Sequence, residues 1–402
     1  MSFHFNILRG GLLATAAASG TARPRLASID LLRGLVMIVM ALDHTRDFFG
    51  ASGMNPRDVA DPALFLTRWI THFCAPIFIL LAGVSAYLYG TRGRSTAEVS
   101  RFLFTRGFWL MILEFTVVRF GWSFGIGLDF FAAQVIWAIG ASMVVLAGLV
   151  WLPRAAICAI ALGMIAGHNL LDSIQAVDLG PLAWVWNVLH ERGLLNLTTN
   201  IKLYVLYPLI PWVGVMAAGY ALGPEFFRSP EVRQRRFLGL GAAITVGFFI
   251  LRLNNLYGDP APWTPQETLL STVLSILNLE KYPPSLLYLM MTLGPALMLL
   301  AVFEQVRGKI AGWITTFGQV PLFYYVLHIF LIHAFAIVVA LAVFGDASWL
   351  IGTPPSHKPA GWAWSLPVIY AVWLLVVLCL YPSCRWYADV KRQRSDWWLS
   401  YL

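Results

Sequence analysis

Long apolar runs separated by short polar gaps set the pattern of the chain. Ten runs approach the length a bilayer-spanning helix needs, about 20 residues. They lie near 29–49, 66–90, 104–124, 130–151, 154–170, 201–222, 237–256, 284–304, 315–344 and 364–384. The chain therefore reads as an all-α, polytopic membrane helix bundle with about ten transmembrane helices. With the N-terminus inside, the inner gaps collect Arg23, Arg25, Arg92, Arg94, Arg101, Arg154, Arg228, Arg233, Arg235, Arg236, Arg307, Lys309, Arg385, Lys391, Arg392 and Arg394. The outer loops proper hold only Arg57, Arg192, Lys281 and Lys358, with Arg46, Arg68, Arg119, Lys202 and Arg252 at the outer span edges. Cations gather on the cytoplasmic side of membrane proteins, so both termini are expected in the cytoplasm.

Residues 1–26 are expected to form a poorly ordered cytoplasmic leader, and residues 27–402 a single transmembrane domain. The stretch Gly10–Gly20 is mildly apolar but short and Gly/Ala-rich. Its removal as a signal peptide would set the next helix against the cation count. The longest outer loops, 168–200 and 257–283, carry Trp184, Trp186 and Trp263 and read as a re-entrant or interfacial cap anchored by aromatic rings.

Composition removes other classes. Of 402 residues, 59% are hydrophobic and 12% charged, against about a quarter charged in soluble domains, which excludes a soluble enzyme. Seventeen Trp, 14 Tyr and 26 Phe exclude a disordered chain. The net charge of +8 does not point to nucleic acid, because the cations lie in separate gaps and form no continuous face. Cys74, Cys158, Cys379 and Cys384 sit in or beside apolar runs without metal-type spacing. They read as small buried residues, and no metal is expected.

The densest candidate chemistry lies in the first run, Ser28–Phe49, which holds ionisable groups inside an apolar helix. Such groups are costly in a bilayer and face a bundle interior or a wet cavity. Eleven helical positions advance by about 1100°, so Arg33 and His44 share a face within roughly 20°, about 16 Å apart along the axis. Asp30, Met37, Met40 and Asp47 lie near the same stripe. A donor with an anionic head, a long arm and a reactive tip, such as coenzyme A, matches that spacing. Arg33 suits phosphate, His44 suits proton transfer from an acceptor amine or hydroxyl, and Asp47, one turn on, suits orienting the imidazole. The bland alternative makes Asp30 and Arg33 a buried pair that fixes the helix, and His44 a satisfied polar residue.

Other polar residues divide in the same way. His72, close in depth to His44, lines the site or makes an interhelical hydrogen bond. Arg101 and Arg106 open the third run, and Arg106, one turn deeper, is the better phosphate ligand; anionic lipid is the alternative. Glu114 lies mid-span and must be protonated or paired, with Arg33 or Arg106 as the expected partner. His328 lies three residues after Tyr325, lining a donor channel or bonded between helices, and His333 carries the same choice. Arg252, Asn254 and Asn255, with the loop tryptophans, are a weaker acceptor candidate.

The run Ile29-Asp30-Leu31-Leu32-Arg33-Gly34, followed by His44, resembles the signature of the transmembrane acyltransferase superfamily. The heparan-α-glucosaminide N-acetyltransferase-like branch, in its bacterial members, is the closer match. Further similar stretches are Thr71–Phe78 leading into Leu81-Ala82-Gly83, Lys281–Ser285, Phe317–Tyr325 and Tyr381–Trp386, so that the resemblance spans residues 24–402. It implies a cytosolic acyl-CoA donor, usually acetyl-CoA, and a glycan-type acceptor beyond a bacterial-type inner membrane. It also implies an essential His in the first span, which here is His44 as base or acyl carrier, and a donor-side role for Arg33. The loop Phe48–Phe65 has no His, unlike the animal enzymes, so His44 follows the bacterial O-acyltransferase pattern and His72 aligns with an acidic position. Amine versus hydroxyl acceptor and a homodimer are left open. A proton-coupled transporter using Asp30, Arg33, Glu114 and His44 is the main alternative; a haem protein ligated by His44, His72, His328 and His333 is a third.

Overall fold

The computed structural model describes residues 26–352, 358–394, 396 and 399; the expected leader, apart from Leu26, lies outside them. The elements are α1 (Ala27–Phe49), α2 (Pro62–Thr71), α3 (Cys74–Gly90), α4 (Thr96–Leu113), α5 (Arg119–Ser123), β1 (Phe130–Ala133), α6 (Val135–Leu149), α7 (Arg154–Gly167), α8 (Ala183–Leu189), β2 (Gly193–Asn196), β3 (Lys202–Val205), α9 (Leu209–Leu222), α10 (Pro230–Leu253), α11 (Leu269–Leu277), α12 (Leu286–Phe303), α13 (Lys309–Gln319), α14 (Pro321–Phe344) and α15 (Leu366–Gln393). Local chemistry sets several starts. Ser95 and Glu98 form a reciprocal capping box at α4. Asp61 caps α2, with Pro62 in the first helical position. Ser285 accepts the Tyr288 N–H at α12.

The protein is mostly helical, 72%, and among the described residues six helical segments are long and apolar enough to cross a membrane: Pro62–Gly90, Arg154–Leu171, Pro230–Leu253, Leu286–Phe303, Pro321–Phe344 and Leu366–Gln393. Each of the ten apolar runs contains a helix, but four differ from a plain span. Helix α1 carries Asp30, Arg33, Asp43, Arg46 and Asp47. Helix α4 passes through a π-helical turn, Glu114–Val118, into α5. Helices α6 and α9 have only 15 and 14 residues.

Three expectations are corrected. The fold is not purely α: β1, β3 and β2 form a small sheet in that order, β1 parallel and β2 antiparallel to β3. The first residues of the runs 130–151 and 201–222 are these strands, because a short strand continuous with an apolar helix cannot be told from it by hydropathy. The run 315–344 is broken at Val320, where Pro321 starts α14 afresh. Together with α8 and α11, the sheet lies at the end of the bundle where α1 finishes.

Helix α1 is the most enclosed long helix and packs on α13, α14, α15 and α3. Its closest approach is to α13. A Cβ placed on Gly34 would overlap the Ile314 carbonyl, and one on Gly318 would overlap the Asp30 carbonyl. Gly83 of α3 and Gly219 of α9 make a similar backbone-to-backbone contact through Met216 and Leu80. Small residues let membrane helices approach until backbones touch. Gly34→Ala and Gly318→Ala should therefore each lower stability by about 1–3 kcal/mol through overpacking, read as a fall in the melting midpoint of detergent-purified protein. An unchanged midpoint for both would contradict this seam.

Candidate active site

The α1/α13 seam sets one end of the site. Gly34 and Gly318 bring the backbones close enough for Arg33 Nη1 to donate to both the Gly318 carbonyl and the Asp30 carboxylate at 3.3 Å, while Nη2 donates to Ser85 of α3 at 3.2 Å. Asp30 and Arg33 thus form the expected i,i+3 pair. Arg33 remains partly accessible, at 17% of its side chain. Its place in the seam matches a group that both holds α1 and presents a planar set of donors.

Eleven residues on, the same face of α1 meets α14, ten residues beyond Gly318. His44 Nδ1 lies 2.7 Å from His328 Nε2. His328 Nδ1 lies 3.1 Å from the Tyr324 carbonyl. A carbonyl only accepts, so the Tyr324 contact puts the His328 proton on Nδ1 and leaves Nε2 as the acceptor. His44 must then donate from Nδ1, which makes its own Nε2 the lone-pair nitrogen. Trp122 packs edge-on against the His44 ring at 4.9 Å and stacks on Phe48 at 5.5 Å, fixing the imidazole laterally. His328 is wholly buried and His44 half-buried.

Two cavities lie near this pair, the smaller lined by His44 itself and the larger by its neighbour Trp122. The larger, about 460 Å³, is lined by Asp47, Glu114, Trp122, Gln134, Tyr204 and Lys358, among others, and opens at the sheet end of the bundle. Its size falls in the range of small-molecule sites. The smaller, about 30 Å³, is lined by His44, Asp43, Thr71, Cys74, Tyr207 and Lys281. Around the larger one the end of α1 is tied down: Lys358 Nζ donates to the Asp47 and Gly50 carbonyls at 2.6 Å each, and Trp362 Nε1 to the Phe48 carbonyl at 2.9 Å. Those are the last-turn oxygens a helix cannot satisfy internally. Burial of the Lys358 ammonium pulls it down to about 8.

Several residues take positions other than those expected. Asp47 does not orient His44; its carboxylate takes Arg46 at 2.7 Å and lines the large cavity, because His328 already occupies the imidazole's donor nitrogen. Glu114 is paired with neither Arg33 nor Arg106: its carboxylate accepts the Trp137 N–H at 2.9 Å, at the start of α6. A π-helical turn begins at Glu114, which lines the large cavity. Arg106 sits on α4, which packs on α6 through Gly107 and Gly140, outside the α1/α13 seam. His72 lies at the break between α2 and α3, its ring 5.3 Å from Tyr288 and its carbonyl accepting the Tyr288 hydroxyl; it lines neither cavity. His328 does meet the site, as the partner of His44 rather than as a wall of a donor channel. His333 Nδ1 and Nε2 lie 2.9 Å from the Gly121 and Leu350 carbonyls, one of which takes the ring N–H, and the ring bridges α14 to its neighbours. Arg252 binds the Ile276, Ala261, Ser275 and Asn278 carbonyls and holds a loop together, and Asn255 pairs with the Trp263 backbone, which withdraws them as acceptor candidates.

A cluster beside His44 escaped the sequence pattern. Asp43 accepts Arg68 of α2 at 2.6 Å and pairs with Arg46 at 2.8 Å, all three groups largely buried. The signal was present as Asp43 and Arg46 at i,i+3 inside an apolar run, but the partner on α2 is set by packing. Asp43 is the anion shared by both guanidiniums, so Asp43→Asn leaves Arg68 as an uncompensated buried charge and should cost about 3–5 kcal/mol. Arg68→Met added to Asp43→Asn should recover part of that loss, which thermal unfolding of the two single variants and the double variant would measure.

The sequence profile described as Heparan-alpha-glucosaminide N-acetyltransferase, catalytic, matches residues 25–251, more than half of the chain and including α1, α2 and α4. No curated protein matches the chain significantly. An apolar helical bundle and this match agree on a membrane-embedded transferase of acetyl groups. The chain belongs to the heparan-alpha-glucosaminide N-acetyltransferase catalytic-domain family.

Proposed function

We propose that the chain moves an acetyl group from cytosolic acetyl-CoA to an amine or hydroxyl of a glycan-type acceptor on the far side of a bacterial-type inner membrane. In this reading ten helices span the bilayer, both termini are cytoplasmic, the Arg33 end of α1 faces the cytoplasm and the sheet end faces out. Family membership supports acetyl transfer and does not favour the proton-coupled transport alternative.

The observation that carries the reading is the hydrogen-bonded chain Tyr324 carbonyl–His328–His44. It leaves the His44 Nε2 lone pair without a protein partner among the described residues, on a half-buried ring that lines the small cavity and packs against Trp122 of the large one. That is the state a general base needs before the acceptor binds. The acceptor enters the large cavity, where Trp122 and Tyr204 offer aromatic faces to a sugar and Asp47, Glu114 and Gln134 offer hydrogen-bonding groups. The donor's anionic head lies toward Arg33, about 16 Å away along α1, and its thioester reaches His44. His44 removes the acceptor proton as the nucleophile attacks the thioester carbon, or carries the acyl group between donor and acceptor. His328 acts as a positioning residue that fixes the His44 tautomer.

His44→Ala should lower acetyl transfer from labelled acetyl-CoA by about 100- to 10,000-fold, the usual worth of a general base; transfer at the wild-type rate by a folded variant would end this reading. His328→Gln, which keeps an acceptor for the His44 N–H, should retain more activity than His328→Leu, and equal rates for the two would remove the tautomer argument. Arg33→Gln should raise KM for acetyl-CoA more than it lowers kcat, and an unaltered KM would remove Arg33 from donor binding.

A further inference from the structure

We propose that Lys281 is a catalytic residue: its ammonium stabilises the oxyanion that forms on the thioester carbonyl oxygen when the acceptor attacks beside His44. This rests on the acyl-transfer reading above and adds a group to it.

Lys281 is a loop lysine only 7% exposed, and it lines the 30 Å³ cavity together with His44 and Asp43. Among the described residues its Nζ donates to no oxygen or nitrogen; the contact it makes is with the face of Tyr282, 5.1 Å from the ring centre. It is not needed as the counter-ion of Asp43, whose charge is already met by Arg46 and Arg68. A buried ammonium normally acquires hydrogen-bond acceptors, because its three donors lose water on burial. Here they are held ready at the wall of a space big enough for about one small group. The turn that delivers it is fixed from outside: Glu280 pairs with Arg57 at 2.8 Å, while Asp259 accepts the Glu280 N–H at 2.9 Å and the Ser285 hydroxyl at 2.6 Å. Such a fixed, desolvated cation beside a base stabilises negative charge that appears only in the transition state.

The step balances as follows. The acceptor's nitrogen or oxygen lone pair forms a bond to the thioester carbon, and its proton passes to His44 Nε2. The carbonyl π pair moves onto oxygen, where Lys281 Nζ meets it without transferring a proton. Collapse re-forms the carbonyl, the carbon–sulfur bond breaks, and the departing thiolate takes the proton from His44. Lys281 is charged at the beginning and at the end.

The test uses the full chain in detergent, acetyl-CoA as donor and glucosamine as acceptor probe, with free CoA thiol as the readout so that acetyl transfer to water is also scored. Lys281→Gln and Lys281→Met should lower kcat by about 100-fold, as loss of one oxyanion donor does, with KM for acetyl-CoA within about threefold of wild type. Lys281→Arg, which keeps the charge, should recover at least a tenth of the activity. Melting midpoints of all three variants guard against misfolding, and if the neutral variants fail to fold, the arginine variant carries the test through its kcat-against-KM split. Wild-type kcat in a folded neutral variant, or a loss confined to KM, overturns the assignment of Lys281 alone. A wild-type protein that releases no CoA overturns the acyl-transfer reading and this assignment with it.

Discussion

Every ionisable group on α1 must find a partner inside an apolar bundle, and that requirement organises the surrounding structure. Asp30 is answered by Arg33, Arg33 also by Gly318 and Ser85, Asp43 by Arg68 and Arg46, and His44 by His328. The answers from outside α1 come from four different elements: α13, α3, α2 and α14. A helix with so many charges could not face lipid, so its neighbours are the elements that supply counter-groups, and it ends up enclosed. The glycines at 34 and 318 follow from the same demand, since Arg33 reaches a backbone carbonyl only where the helices touch.

The sequence made the helical, membrane-embedded character plain, because hydropathy reports burial in lipid directly. It also placed Arg33 and His44 on one face through helical geometry alone, and the two meet residues on either side of the α13/α14 break, Gly318 and His328. What hydropathy hid was anything that changes conformation inside an apolar run. Strand β3, the break at Val320 and the π-helical turn at Glu114 all sit within apolar stretches, where strand, helix and bulge share one composition.

Partner identity was legible only when both partners lay on one helix. Asp30 with Arg33 could be read at i,i+3; Glu114 with the Trp137 N–H could not, since the donor is a backbone group at the start of another helix. The same reason explains why Asp47 looked like the group that orients His44 while His328 does so. Spacing of about one turn made Asp47 the nearest candidate in sequence, but the imidazole turns its donor nitrogen outward to α14. Lys281 illustrates the opposite case: a loop cation that topology arithmetic counts as one of a few outer charges is buried at the wall of the cavity that His44 lines.

The two imidazoles form a wire with a closed end. The ring chain finishes on the Tyr324 carbonyl, which accepts a hydrogen bond but cannot hold a proton. In the proposed reaction a proton captured at His44 therefore has no route onward through α14 to either aqueous phase. In the proposed step it leaves onto the sulfur of the departing thiol, so the acceptor's proton travels opposite to the acetyl group. Acetyl and proton are exchanged one for one, and no net charge crosses the bilayer.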